Sequence, residues 1–263
     1  MRTTTGDIQD GAVTHPKLSA ALLQGKSVFE RFDHQPLLAL PGGFGDPTGT
    51  TGQINEATFR SGLYAQYSQL GAGETILGPV FDFTTGLLDI SEDQTATEGV
   101  HYDWGGNSPR NPYLFTVGTS PSYSWRWKFK IEDASGVGGL VIGLRKQAAL
   151  AADWNDYTDV AALNIVQGVI NISTILNNAA TATVDTTLVD VVDAETIEFE
   201  IQVRGRRCFF YYAGARVGLE PLFDFDSTDV VIPFTDYLHG TDVSKLYPTE
   251  LEFAPIRDLQ SNP

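Results

Sequence analysis

Residues 195–217 read ETIEFEIQVRGRRCFFYYAGARV, and their period decides the fold. Ile197, Phe199, Ile201 and Val203 alternate with Glu198, Glu200 and Gln202. An apolar residue at every second position is the period of a strand with one face against a core. Arg204-Gly205-Arg206 makes the reversal, since Gly205 takes positive φ without a Cβ clash. Arg207–Tyr212 returns as an aromatic strand, and Ala213-Gly214 turns the chain again into Ala215-Arg216-Val217. Strand, glycine turn, strand and glycine turn predict an antiparallel meander.

The same period extends outward. In Tyr123–Glu132, YSWRWKFKIE, the residues Tyr123, Trp125, Trp127, Phe129 and Ile131 face one way. Ser124, Arg126, Lys128, Lys130 and Glu132 face the other, and put a basic row on an acidic protein. That row is either a solvated face or meets an acidic partner such as a neighbouring subunit. Gly138–Arg145 reads as a buried strand; Val160–Val166 and Val169–Ile175 are two more, joined by Gln167-Gly168. Thr183–Val192, Leu222–Phe225, Val230–Phe234 and Leu251–Pro255 complete the later strands, with Tyr237–Lys245 as a loop. Thr75–Asp82 and Gly86–Ile90 also read as strands. Ile54, Phe59, Leu63, Tyr67 and Leu70 fit one side of a helix, but Gly62 and the Ser/Thr content weaken that reading.

The chain has 263 residues, enough for one large all-β domain plus a tail. Seventeen Lys and Arg stand against 33 Asp and Glu, a formal charge of −16. Such a surface does not suit a phosphate backbone or an anionic membrane, so neither nucleic acid nor membrane is an expected partner. The single cysteine, Cys208, cannot form an internal disulfide and reads as a small core residue. MRTTTGDIQDGAVTH has no apolar stretch, so no signal peptide is expected, and synthesis in a cytoplasm follows.

Three segments organise the chain: residues 1–34 as an anchoring or oligomerisation arm, 35–53 as a Gly/Pro-rich linker, and 54–263 as the body. In the arm, Thr14 is placed to cap a short helix with Leu18, Ala21 and Leu22 on one side. A helix that short needs something to pack on, either the body or a partner chain. In the linker, Gly45–Thr51 lacks the Gly-Lys-[Ser/Thr] ending of a phosphate loop.

Residues 91–122 read as a long polar loop. Within it Tyr102, Asp103, Trp104, Asn107, Arg110 and Tyr113 mix aromatic rings with short polar groups. That mixture suits glycan binding, with rings packing on a pyranose and polar groups bonding its hydroxyls. The competing reading is that Trp104 and Tyr113 only pin the loop to the body. Asp153, Asp156 and Asp159, and Asp224, Asp226 and Asp229, cluster oxygen ligands but match no calcium-loop pattern. The four histidines, His15, His34, His101 and His239, show no metal spacing. No metal, cofactor or catalytic residue is expected.

Two resemblances add to this reading. GDIQDGAVTHPKLSAALLQG, residues 6–25, is similar to a segment of bacteriophage fibre and other virion-surface proteins, where it forms an intertwined, usually trimeric stem. The resemblance implies a non-enzymatic virion protein on the particle surface, a capsid decoration, head fibre or tail fibre aiding host attachment. It implies a homotrimer buried through Ile8, Val13, Leu18 and Leu22, with other virion proteins such as the major capsid protein as partners.

The order YSWRWKFKIE, GGLVIGLRK, DYTDVAALNIVQGVINI and IEFEIQVRGRRCFFYYAGARV resembles the concanavalin A-like, lectin-type jelly roll. It implies an all-β fold, an antiparallel β-sandwich, here with an extended N-terminal segment. Two further functions follow: a carbohydrate-binding module or adhesin recognising host or environmental glycan through residues 101–113, or a divergent glycosidase. Glycosidases of this class carry Glu, Asp and Glu along one strand; Asp193, Glu195 and Glu198 depart from that order, and Glu198 points away from the other two.

Overall fold

The structure, a computed structural model, describes residues 28–31, 51–54, 65–70, 80–82, 84–91, 97–104, 113–118, 122–149, 151, 153–218 and 223–256. These residues build two antiparallel sheets packed face to face. The first runs in spatial order β1 (Val28–Arg31), β18 (Leu246–Pro255), β8 (Tyr123–Ile131), β13 (Thr196–Arg204), β14 (Arg207–Tyr212) and β15 (Ala215–Val217), with β16 (Phe223–Asp224) beside β14. The second runs β12 (Ala182–Asp185), β11 (Val169–Ile175), β10 (Val160–Val166), β9 (Val137–Lys146), β17 (Val230–His239), β6 (Gly99–Trp104), β3 (Ala65–Leu70) and β2 (Thr51–Ile54), with β7 (Phe115–Thr116) on β17. A small hairpin, β4 (Val80–Asp82) and β5 (Leu87–Asp89), stands apart.

Alternation and turns account for the local structure. Along β8 every second residue is buried, as the aromatic row requires. Phe199 pairs with Trp127 on one side and with Tyr212 on the other, which fixes β13 between β8 and β14. The Ala213-Gly214 turn has positive φ at both residues, 47° and 76°, the geometry whose twist matches a tight hairpin. Gln167-Gly168 repeats it between β10 and β11, at 49° and 85°.

The core lies between the sheets. Trp125, Trp127, Phe129, Ile197, Phe199 and Ile201 enter from one side; Tyr102, Trp104, Leu140, Ile142, Leu163 and Ile172 enter from the other. Trp104 and Trp127 meet edge to face across the interface, with ring centroids 4.5 Å apart. Each such side chain contributes roughly 1.5–3 kcal/mol by leaving water. Cys208 is fully buried in this core, and burial pushes its thiol well above the usual range, so it is an inert packing residue.

Several expectations change. Val28–Arg31 adds to the edge of the first sheet beside β18, and Thr51–Ile54 to the edge of the second beside β3. The sandwich thus draws strands from both the arm and the linker, because an edge strand needs only a ladder and not a large apolar face. Ile8, Val13, Leu18 and Leu22 lie outside the described residues, as do Phe59 and Leu63. Tyr67 and Leu70 lie on a strand, not a helix. The expected loop Tyr237–Lys245 begins only after His239, and the closing strand starts at Leu246. Proline obscured both strands. Pro248 lies at a register shift, and Pro233 lies where the neighbour of β17 changes from β6 to β7.

Arg126 and Lys128 of the basic row meet acidic residues within their own sheet. Arg126 Nη2 lies 2.6 Å from Glu252 Oε2, and Lys128 Nζ lies 3.3 Å from Glu198 and 3.2 Å from Glu250. β13 and β18 flank β8 and supply the opposite charges.

Candidate functional site

The outer face of the nine-stranded sheet carries the unusual chemistry. In β6, Val100, Tyr102 and Trp104 face the core, so His101 and Asp103 point outward. They do not reach solvent. Val141, Tyr157, Val160, Ala162, Ile175 and Phe234 form a second apolar cluster on this face. The connection after β9 carries the short 3-10 helix Trp154–Asp156 and drives Tyr157 onto that cluster.

Beneath the connection is a buried charged network. Arg145 Nη2 donates to both carboxylate oxygens of Asp103, at 2.8 and 2.7 Å. Its Nη1 donates to the carbonyls of Lys146 and Ala148, tying the connection down, and its guanidinium lies 4.0 Å from the centroid of the Tyr157 ring. His101 bonds Asp103 through Nε2 at 2.9 Å and Asp236 through Nδ1. Burial alone would lower the His101 pKa, but the carboxylates of Asp236 and Asp103 outweigh it and push it up to about 9. His101 is therefore an imidazolium at neutral pH. Burial would raise Asp103, yet His101 and Arg145 hold it below the usual carboxylate range. Among the described residues Asp236 has His101 as its one cationic partner, and burial leaves its carboxyl raised.

Asp236 also borders a groove of about 240 Å³. Asn164, Val141 and Asp236 lie side by side across β10, β9 and β17. In the next row Gly139 pairs with Leu238, and a Cβ at Gly139 would meet nothing within 4 Å. That missing side chain opens the groove. Trp154 and Asp153 border it from the connection, and Thr97 also lines it. Two buried acceptors here, Asp236 Oδ2 and Asn164 Oδ1, bond to no group among the described residues. Asn164 Nδ2 donates one hydrogen to Ser173 Oγ at 3.2 Å, and its carbonyl oxygen takes no part in that bond.

Four of the six expected glycan residues are buried. Tyr102 and Trp104 are fully buried, and Trp104 Nε1 donates to Thr235 Oγ1 at 3.0 Å. Asp103 is consumed by Arg145 and His101. Tyr113 is buried against Phe253. Tyr102, Asp103 and Trp104 offer no face to a sugar, because residues 99–104 form a strand covered on both sides rather than a loop, and Tyr113 is buried outside that strand. Asn107 and Arg110 lie outside the described residues. The groove residues Asp236, Asn164, Trp154 and Gly139 carried no local motif.

The acidic clusters are also resolved into separate roles. Asp153 caps the short helix through Asn155 N, Asp159 is buried near Lys146, and Asp229 pairs with Lys146 Nζ at 2.6 Å. Asp226 lies 3.3 Å from Arg206. Among the described residues no group of three acidic, His or Cys side chains could hold a metal ion. Asp193 accepts from Ala134 N and Glu195 from Val192 N, while Glu198 serves Arg126 and Lys128.

No protein-family model matches the sequence, and no curated protein matches it. A protein of unknown function from Shewanella oneidensis MR-1 is similar in structure, with 12% identity and a TM-score of 0.50 over 94% of this chain and 95% of that one. The Emp46p carbohydrate recognition domain aligns with 7% identity and a TM-score of 0.49, covering 72% of this chain and 88% of that one. The carbohydrate-binding module CBM66 from Bacillus subtilis gives 9% identity and a TM-score of 0.43, with 71% and 94% covered. At these identities the likeness is one of fold alone: the chain is an antiparallel β-sandwich.

Proposed function

We propose that this protein is a non-catalytic glycan-binding sandwich and that the groove above Gly139 is its sugar site. One observation carries the reading: Asp236 Oδ2 and Asn164 Oδ1 are buried acceptors without a protein partner, beside the half-buried Trp154. A buried acceptor left unmet costs about 1–3 kcal/mol, and sugar hydroxyls are donors that remove the cost. An indole ring matches the apolar face of a pyranose. The volume lies near the lower end of small-molecule sites, roughly 300–1,000 Å³, and suits a short saccharide.

Asp236 is tied through Oδ1 to His101, which leaves Oδ2 to meet a sugar hydroxyl. The virion-surface role implied by residues 6–25 concerns residues outside the described body, as do the trimer and the capsid partners. The glycan reading does not depend on them.

A glycan array tests the site with the wild type, Trp154→Ala and Asn164→Ala. Selective binding that both substitutions weaken at least tenfold is expected. Binding untouched by either variant would place the sugar elsewhere. Release of reducing ends abolished by Asp236→Asn would replace binding with catalysis.

A further inference from the structure

We infer that the groove selects a cationic amino sugar, a hexosamine with a free protonated amine, over neutral and anionic sugars. The inference rests on the sugar-binding reading and concerns which sugar the same site prefers. Of the side chains bordering the groove, the carboxylates of Asp236 and Asp153 are the charged ones and offer acceptors, while Asn164 and Thr97 both accept and donate and Trp154 donates through Nε1. No Lys, Arg or His among the described residues lines it. Asp236 is 2% exposed and its Oδ2 has no partner, so an acceptor is already desolvated there.

The charges support the same choice. His101 and Arg145 are matched by Asp103 and Asp236, so the buried network is neutral. Asp153 has no cation beside it among the described residues, and its charge raises the Asp236 carboxyl. The groove therefore carries an uncompensated negative charge. An ammonium offers three donors and a positive charge to these oxygens, and Trp154 adds a ring face that attracts cations. A sugar carboxylate would meet repulsion from the same groups.

The test is calorimetric titration of the full chain, at slightly acidic pH, with three disaccharides. These are β-1,4-linked glucosamine, its N-acetylated form, and a uronic acid disaccharide. The free amine is expected to bind about tenfold more tightly than the N-acetylated form, and the uronate least. Asp153→Asn should remove most of that preference. Trp154→Ala should weaken both. Equal affinity for amine and N-acetylated forms, both lost in Trp154→Ala, would overturn the charge preference and leave the sugar site standing. Amine binding unchanged by Asp153→Asn and Trp154→Ala would mark diffuse attraction to an acidic chain, and would overturn the inference. Failure of every sugar to bind would overturn both readings.

Discussion

Arg145 and Asp103 are joined by hydrogen bonds of 2.7, 2.8 and 3.1 Å at a point where neither side chain is exposed. The pair links the central strand β9 to β6 across the intervening β17. Breaking it leaves the Arg145 cation buried and weakens the hold on His101. Asp103→Asn is therefore expected to cost about 3–5 kcal/mol in chemical denaturation. A loss below about 1 kcal/mol would mean that the charge is not buried as described.

His101 makes stability depend on pH, and the sign is set by its raised pKa. A group held above its unfolded value of 6.5 adds stability that is complete below 6.5 and is lost as pH rises toward about 9. Asp236, raised by burial, acts in the same direction at lower pH. The melting temperature should fall steadily from pH 6.5 to 9. His101→Gln should be less stable at neutral pH and should lack that slope. A wild-type profile flat over this interval would show that the imidazole is already neutral.

Two glycines four residues apart separate binding from folding. A Cβ at Gly143 would lie 2.4 Å from the Ala161 carbonyl oxygen and 2.5 Å from Ala162 Cβ. Gly143→Ala should destabilise by about 1–3 kcal/mol through overpacking. Gly139 has open space and lines the groove, so Gly139→Val should fold at least as well and block the sugar. Thermal melting with binding measurements decides this. A Gly139→Val protein that melts normally and still binds would remove the groove as the site.

β8, β13 and β14 were legible because each buries one face and alternates, and β10 and β11 because they are apolar runs joined by the Gln167-Gly168 turn. β6 was not, although Val100, Tyr102 and Trp104 alternate with His101 and Asp103. Both of its faces are covered, and polar residues on a covered face look like loop residues until their partners are known. Those partners, Arg145 and Asp236, lie 42 and 135 residues away from the groups they bind. Cys208 and the tight turns were readable for the opposite reason: their constraints are local.

Sequence alone determined the class of fold, since a period of two with glycine turns admits little but antiparallel sheets. It also determined the acidic balance, a formal charge of −16. Only the tertiary structure decided where the groove lies. The groove exists because β17 pairs between β9 and β6, bringing Asp236 into one row with Val141 and Asn164 beside the gap at Gly139. Strand order and register are set by packing over the whole sandwich, and no short stretch of residues encodes them.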